Sequence, residues 1–227
     1  MESPHYYTEN WRADLESLSG FFGLSVAKTY HQLHPDRSLT IIDANADVGG
    51  VWTSERLYPG LKTNNLKGTY EFPDYPMDPE TFGIEPGQYM TGDAMHNYLL
   101  GFAEKFDIHR RIRFNTQVLT AEHQAGLEGG WTLTVRNKLD NTEKKISARK
   151  LIVATGMTSE PFLPHFDGQE EFEVPLFHGK DFLQYANTLS SAHSATVFGG
   201  TKSAWDAVYA YASRGIKVNW VIRGKSL

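Results

Sequence analysis

The 227-residue sequence contains no cysteine. Disulfides, thiolate nucleophiles and Cys-ligated metal sites are thereby excluded, and a reducing compartment is compatible with the absence. No apolar run approaches the roughly 20 residues that a bilayer-spanning helix requires. The first ten residues carry Glu2 and Glu9 but no Lys or Arg, whereas a secretory leader opens on a positive region before an apolar one. The run Phe21-Phe22-Gly23-Leu24 is too short to serve as one. An excess of positive charge is also missing: 22 Lys plus Arg against 27 Asp plus Glu leave a net charge of −5. Nucleic-acid binders usually carry a basic stripe. The densest basic spot here, His109-Arg110-Arg111 with Arg113, reads as a solvated helix end. These absences predict a cytoplasmic protein with no membrane span, no nucleic-acid partner and no metal.

What is present is a globular composition, 40% hydrophobic and 13% aromatic, which excludes disorder. The length suits one large domain or two small ones. Apolar spacing predicts a helix over 24–33, stopped by His34-Pro35-Asp36. A short strand over 38–44 follows, with Asp43 near its end, and then a Gly49-Gly50 turn. Residues 58–89 hold five prolines and the aromatics Tyr58, Tyr70, Phe72, Tyr75, Phe82 and Tyr89, which predicts a long irregular segment of functional kind. A helix over 92–106 and three strand-like runs (112–122, 131–136 and 145–154) come next, the last three as a β-meander ending at Gly156. After a Pro-rich link, a second unit runs strand 195–198, turn Gly199-Gly200-Thr201, helix 203–214 and strand 217–223. Two β-α-β beginnings around a meander predict an α/β fold with two dinucleotide modules.

A dinucleotide fold needs a glycine-rich turn between its first strand and helix, so that backbone N–H groups can approach a pyrophosphate. The candidate is Leu18-Ser19-Gly20-Phe21-Phe22-Gly23. Gly20 and Gly23 stand at the second and third glycine positions and Leu18 at the first. Residues 11–18 read as polar and helix-like, so the strand that should precede the turn is expected to be absent. Phe21 and Phe22 fill positions that would face the phosphates. Asp43, 20 residues beyond Gly23, is either the carboxylate that accepts from an adenosine ribose or a turn-forming residue. In the second turn Thr201 replaces a glycine. Asp206, one turn into the helix, favours the macrodipole but would repel a phosphate.

Taken in order, Gly49-Gly50-Val51-Trp52, the run Tyr58-Pro59-Gly60-Leu61-Lys62-Thr63-Asn64, the ATG at Gly156 and the Gly199-Gly200-Thr201 turn resemble the flavin-containing and Baeyer–Villiger monooxygenases. The resemblance is strongest to their fungal specialised-metabolism branch and runs from about Gly20 to the C-terminus. It implies a reduced Rossmann-like FAD/NAD(P)-binding fold with a β-meander and a partial second dinucleotide module. FAD would lie on Gly20, Gly23, Asp43, Gly50 and Trp52, and NADPH on Gly199, Gly200 and Thr201. Asn64 would stand near the reactive flavin. The family fingerprint Phe-x-Gly-x-x-x-His is matched at Phe172 and His178, with Val174 at the glycine. The domains expected are a degenerate FAD-binding-like domain over 20–160 (meander 112–154), a partial NADP-binding-like module over 190–227 and an atypical segment 1–19. Family members are typically about twice this length or more. That length, with the first strand and first glycine missing, leads to the expectation of a truncated relative with damaged cofactor sites.

The main functional expectation is a repurposed enzyme of specialised metabolism that uses no cofactor. It would steer a cyclisation, pericyclic reaction, isomerisation or elimination on a hydrophobic small molecule through shape and a few hydrogen bonds. Trp52, Tyr58, Tyr70, Phe72, Tyr75 and Phe82 would line the pocket, with Asn64, Glu71, Asp74 or His178 as catalytic groups. Each also has an ordinary core or surface reading. The alternatives are an FAD- and NADPH-dependent monooxygenase and a non-catalytic partner of a full-length oxygenase. The strand 217–223 would be an open edge, which predicts a homodimer or a covering segment drawn from residues 1–19.

Overall fold

The computed structural model describes residues 8–17, 19–126, 129–156 and 160–224. In chain order its elements are β1 (Thr8–Ser17), α1 (Phe21–Leu33), β2 (Leu39–Ile42), β3 (Lys62–Leu66), α2 (Pro79–Phe82), β4 (Tyr89–Thr91), α3 (Gly92–Lys105), β5 (Ile112–Arg113), β6 (Thr116–His123), β7 (Trp131–Asn137), β8 (Glu143–Val153), α4 (Thr188–Ser191), β9 (Ser194–Phe198), α5 (Lys202–Ala212) and β10 (Lys217–Val221). They form two compact units, one of Met1–Glu55 with Met95–Met157 and one of Arg56–Ala94 with Thr158–Leu227. The Pro-rich segment 56–94 clusters with the C-terminal residues in the second unit.

The first unit is built on a six-stranded sheet of order β5-β2-β1-β8-β7-β6. β5, β2, β1 and β8 are parallel neighbours, and β8, β7 and β6 run antiparallel. The expected absence of a first strand is corrected here. β1 lies at the centre of the sheet, with Ser17 in register with Ile42 on one side and Val153 on the other. Central parallel strands are usually continuous apolar runs, and TENWRADLES is not one. The pairing is a backbone ladder between two apolar neighbours, LTII and the KLIV end of β8, and tertiary context overrides local pattern. Residues 8–17 thus sit in this sheet. Met1–Tyr7 and the expected first-glycine position, Leu18, lie outside the described residues.

The expected strand 112–122 is two strands. Asn115 takes a positive φ of 52° and breaks it. β5 then pairs with β2, and β6 pairs with β7. The meander proper is β6-β7-β8. Its alternation buries Leu133 and Val135 of β7 against Ile146 and Ala148 of β8 and Ile42 of β2. α1 buries Leu24 and Ala27. α3 buries Met95, Tyr98, Leu99, Phe102 and Ala103, as its helical period demands. The basic spot after α3 is tied down, since Arg110 and Arg111 both pair with Asp107. The Arg110 hydrogen bond, with Arg111 adding to it, holds the Asp107 carboxyl well below the usual carboxylate range.

In the second unit β9, α5 and β10 form a parallel β-α-β piece. Phe182, Leu189, Ala210 and Tyr211 form its core. The segment expected to be irregular holds the antiparallel pair β3–β4 and a Phe72–Tyr75 bridge. It buries Phe72, Met77, Ile84 and Met90. Among the described residues no helix is long and apolar enough to cross a membrane.

Two leucines give a test of the packing. Leu99 is fully buried, and Leu33, an apolar position of the helix expected over 24–33, is 70% exposed. Leu99→Ala is expected to lower urea-unfolding stability by about 2–5 kcal/mol and Leu33→Ala by less than about 0.5 kcal/mol. Equal effects would contradict the burial.

Candidate functional sites

The first site forms where β1 and β2 end. Asp43 follows β2 and is fully buried. Its Oδ2 accepts from the backbone N–H and hydroxyl of Ser19, at 2.7 and 2.5 Å. Its Oδ1 accepts from the N–H and side-chain amide of Asn45, at 2.8 and 2.9 Å. A buried carboxylate requires such partners. Both oxygens accept from protein donors, and through them Asp43 holds the turn.

Gly20 caps α1 with extended backbone, no side chain caps the helix, and its first turn carries no acidic residue. An α-helix leaves its first four N–H groups without intrahelical partners, and this end is favourable to an anion. The Gly49-Gly50 turn packs directly beneath. Gly49 N–H donates to the Ser19 carbonyl at 3.0 Å. A Cβ on Gly50 would lie 3.0 Å from Gly20 Cα, at a φ of 61°. Two backbones meet there without side chains, so the cradle fits a pyrophosphate. Gly23 is buried in the first turn of α1. Phe22 is exposed and Phe21 half-buried at the rim. Trp52, half-buried, ends the short helical turn Gly50–Trp52.

In the second unit Thr201 caps α5 with extended backbone and no side-chain bond, again with no acid in the first turn. Gly199 has a φ of 126°, and a Cβ on Gly200 would lie 3.0 Å from Ile222. The expected repulsion from Asp206 is corrected. Its Oδ2 receives the Lys202 ammonium and the Tyr58 hydroxyl, the latter at 2.6 Å. Lys202 also donates to the Lys62 carbonyl at 3.0 Å. Burial, then the hydrogen bond to Asp206, pushes the Tyr58 phenol well above its ordinary value. Sequence reasoning missed this cluster. The i, i+4 spacing of Lys202 and Asp206 was a usable signal for their pair, but nothing local linked Tyr58 to a residue 148 positions away.

The four expected catalytic groups serve local structure or face solvent. Asn64 on β3 and Asp74 are exposed. Glu71 accepts from Met77 N–H at 3.0 Å. His178 Nδ1 accepts from Lys180 N–H at 3.0 Å and caps a short helical turn. In the same unit, Tyr75 and Phe82 meet edge to face, Phe72 is buried and Tyr70 half-buried. Trp52 belongs to the other unit. Of the expected pocket residues, Tyr58 lines a cavity of about 180 Å³ formed by Leu57–Lys62 and Thr91–Asp93. Phe172 and Val174 are exposed.

A model of the flavin-binding monooxygenase-like family matches residues 19–209. The FAD-dependent monooxygenase rstn6 of Aspergillus nomiae is 39% identical over 214 residues, covering 90% of this chain and 36% of the relative. The FAD-dependent monooxygenase resA of Aspergillus sclerotiorum is 39% identical over 211 residues with the same coverage. The chain thus spans about a third of the length of these curated relatives. Among solved structures, Tmm from a Pelagibacter species aligns with a TM-score of 0.78 at 21% identity, over 94% of this chain and 51% of that one. Cyclohexanone monooxygenase from a Rhodococcus species, bound to NADP+, aligns with a TM-score of 0.72 at 22% identity, over 94% and 38%. These structural likenesses carry the fold alone, which is α/β and Rossmann-like.

Tyr58 yields a pH prediction. With the folded value raised, the phenol's contribution to stability is complete below about pH 10. It is lost as pH rises from there toward the folded value, because the unfolded chain releases the proton first. Tyr58→Phe is expected to leave the 295 nm absorbance rise up to about pH 11 unchanged. Loss of about one part in eleven, the share of one of 11 tyrosines, would contradict the buried hydrogen bond.

Proposed function

The chain belongs to the flavin-binding monooxygenase-like family, and from that premise we propose that it provides the FAD-binding module and part of the NADPH-binding module of a monooxygenase. The substrate class is a hydrophobic small molecule of specialised metabolism, in keeping with the fungal relatives, and the cytoplasmic placement expected of a cysteine-free chain goes with it. The observation that carries the reading is the uncapped, acid-free N-terminus of α1, seated on the Gly20–Gly50 contact at the end of a central β1.

FAD, when bound, supplies the oxygen chemistry. The protein's own part is to bind and orient. The backbone amides at the start of α1 would take the pyrophosphate, and Gly20 and Gly50 let the backbone approach it. Asp43 keeps Ser19 and Gly20 in place. In the second module the α5 N-terminus, with Lys202 in its first turn and Asp206 neutralised, is suited to the anionic part of NADPH.

A second reading retains support from one observation. Asp43 has both oxygens occupied within the fold, which weakens ribose recognition and favours a cofactor-independent cyclase, isomerase or lyase. Purification in the presence of FAD separates the two. The first reading expects a yellow protein with one flavin per chain and a band near ~450 nm. A colourless protein that takes up no FAD would overturn it in favour of the second.

Among the described residues β10 has one unpaired edge, and pairing with a second copy would cover it. Light scattering is expected to give a dimer that the edge substitution Asn219→Pro dissociates. A monomeric wild type would contradict this.

A further inference from the structure

His96, on α3, joins two elements of the first unit through both of its ring nitrogens. Nδ1 lies 3.1 Å from the Trp52 carbonyl oxygen. Nε2 lies 3.1 Å from Asp47 Oδ2, and the His96 side chain is only 12% exposed. A carbonyl oxygen and a carboxylate oxygen each lie within hydrogen-bond distance of one ring nitrogen, so the ring bridges the two. Asp47 in turn accepts from Val48 N–H at 2.7 Å through its other oxygen. His96 therefore grips residues 47–52 at both ends.

The gripped turn is tight. A Cβ on Gly49, at a φ of 125°, would lie 2.8 Å from the Trp52 backbone. Its far side is the surface on which Gly20 rests, through the Gly49 N–H to Ser19 carbonyl bond and the Gly50–Gly20 approach. A continuous path runs from the α3 imidazole through the Gly49–Trp52 turn to the uncapped end of α1.

We propose that His96 is a positioning residue for the anion-binding turn: with Asp47 it clamps the Gly49-Gly50 turn at the height that holds Gly20 and the α1 amides ready for a pyrophosphate. The proposal rests on the reading that α1 binds the FAD pyrophosphate. Asp47 is the acid that meets the ring from outside α3. Glutamine at 96 carries donors on one nitrogen and cannot reach both acceptors.

The test uses the purified chain and two probes, FAD and ADP, which share the pyrophosphate and differ in the flavin end. His96→Gln is expected to weaken both about tenfold. Asp47→Asn is expected to do the same while keeping an acceptor for Val48, and it stands in if His96→Gln does not fold. The double variant should lose no more than the larger single loss, since both remove one clamp. A wild type that binds both probes, with variants that bind equally well, overturns the proposal alone. Weakened FAD with unchanged ADP also overturns it, because the effect then lies at the flavin end. A wild type that binds neither probe sinks the functional reading and this proposal with it.

Discussion

The Asp43 carboxylate is the point on which the first unit is organised. It is fully buried, and four hydrogen bonds from Ser19 and Asn45 converge on it. Its backbone extends the same role, since Asp43 N–H donates to the Arg113 carbonyl at 3.0 Å and the Asp43 carbonyl accepts from Thr116 N–H at 2.8 Å. One residue thus ties the exit of β1, the end of β2, the end of β5 and the start of β6. A charge in this position is stable only while its partners are present, and removing one leaves a desolvated acceptor at a cost of about 1–3 kcal/mol or more. The Ser19–Gly20 turn is held beside the end of β2 by these bonds.

The second unit handles its acid by similar physics. Asp206 lies beyond the first turn of α5, where an unpaired carboxylate would oppose an anion. Lys202 and the Tyr58 hydroxyl occupy it instead. In both modules the carboxylate is turned inward, and the helix N-terminus carries neither a side-chain cap bond nor a first-turn acid. That arrangement keeps competing negative charge away from the positive end of each helix.

Much of this was legible in the sequence. The helices over 24–33 and 92–106, the meander and the second β-α-β piece follow from apolar period and turn residues, and the order of glycine motifs carried the family. β1 was not legible, because its neighbours and not its own side-chain pattern make TENWRADLES a strand. The split at Asn115 depends on one left-handed residue. The site was less legible than the fold. Glu71 and His178 are acceptors for nearby backbone N–H groups, and such local bonds leave no periodic trace. The pairs that matter, Ser19 with Asp43, Tyr58 with Asp206 and His96 with Asp47, join residues 24 to 148 positions apart.

Hydrogen exchange read by NMR at the centre of the sheet tests the account most directly. If β1 is the central strand and Asp43 anchors its exit, the amides of Leu15, Glu16, Ser17 and Ser19 exchange as slowly as those of Tyr98 and Leu99 in the buried helix α3. If those four amides exchange within seconds while α3 remains protected, β1 is not part of the sheet and the anchored turn does not exist.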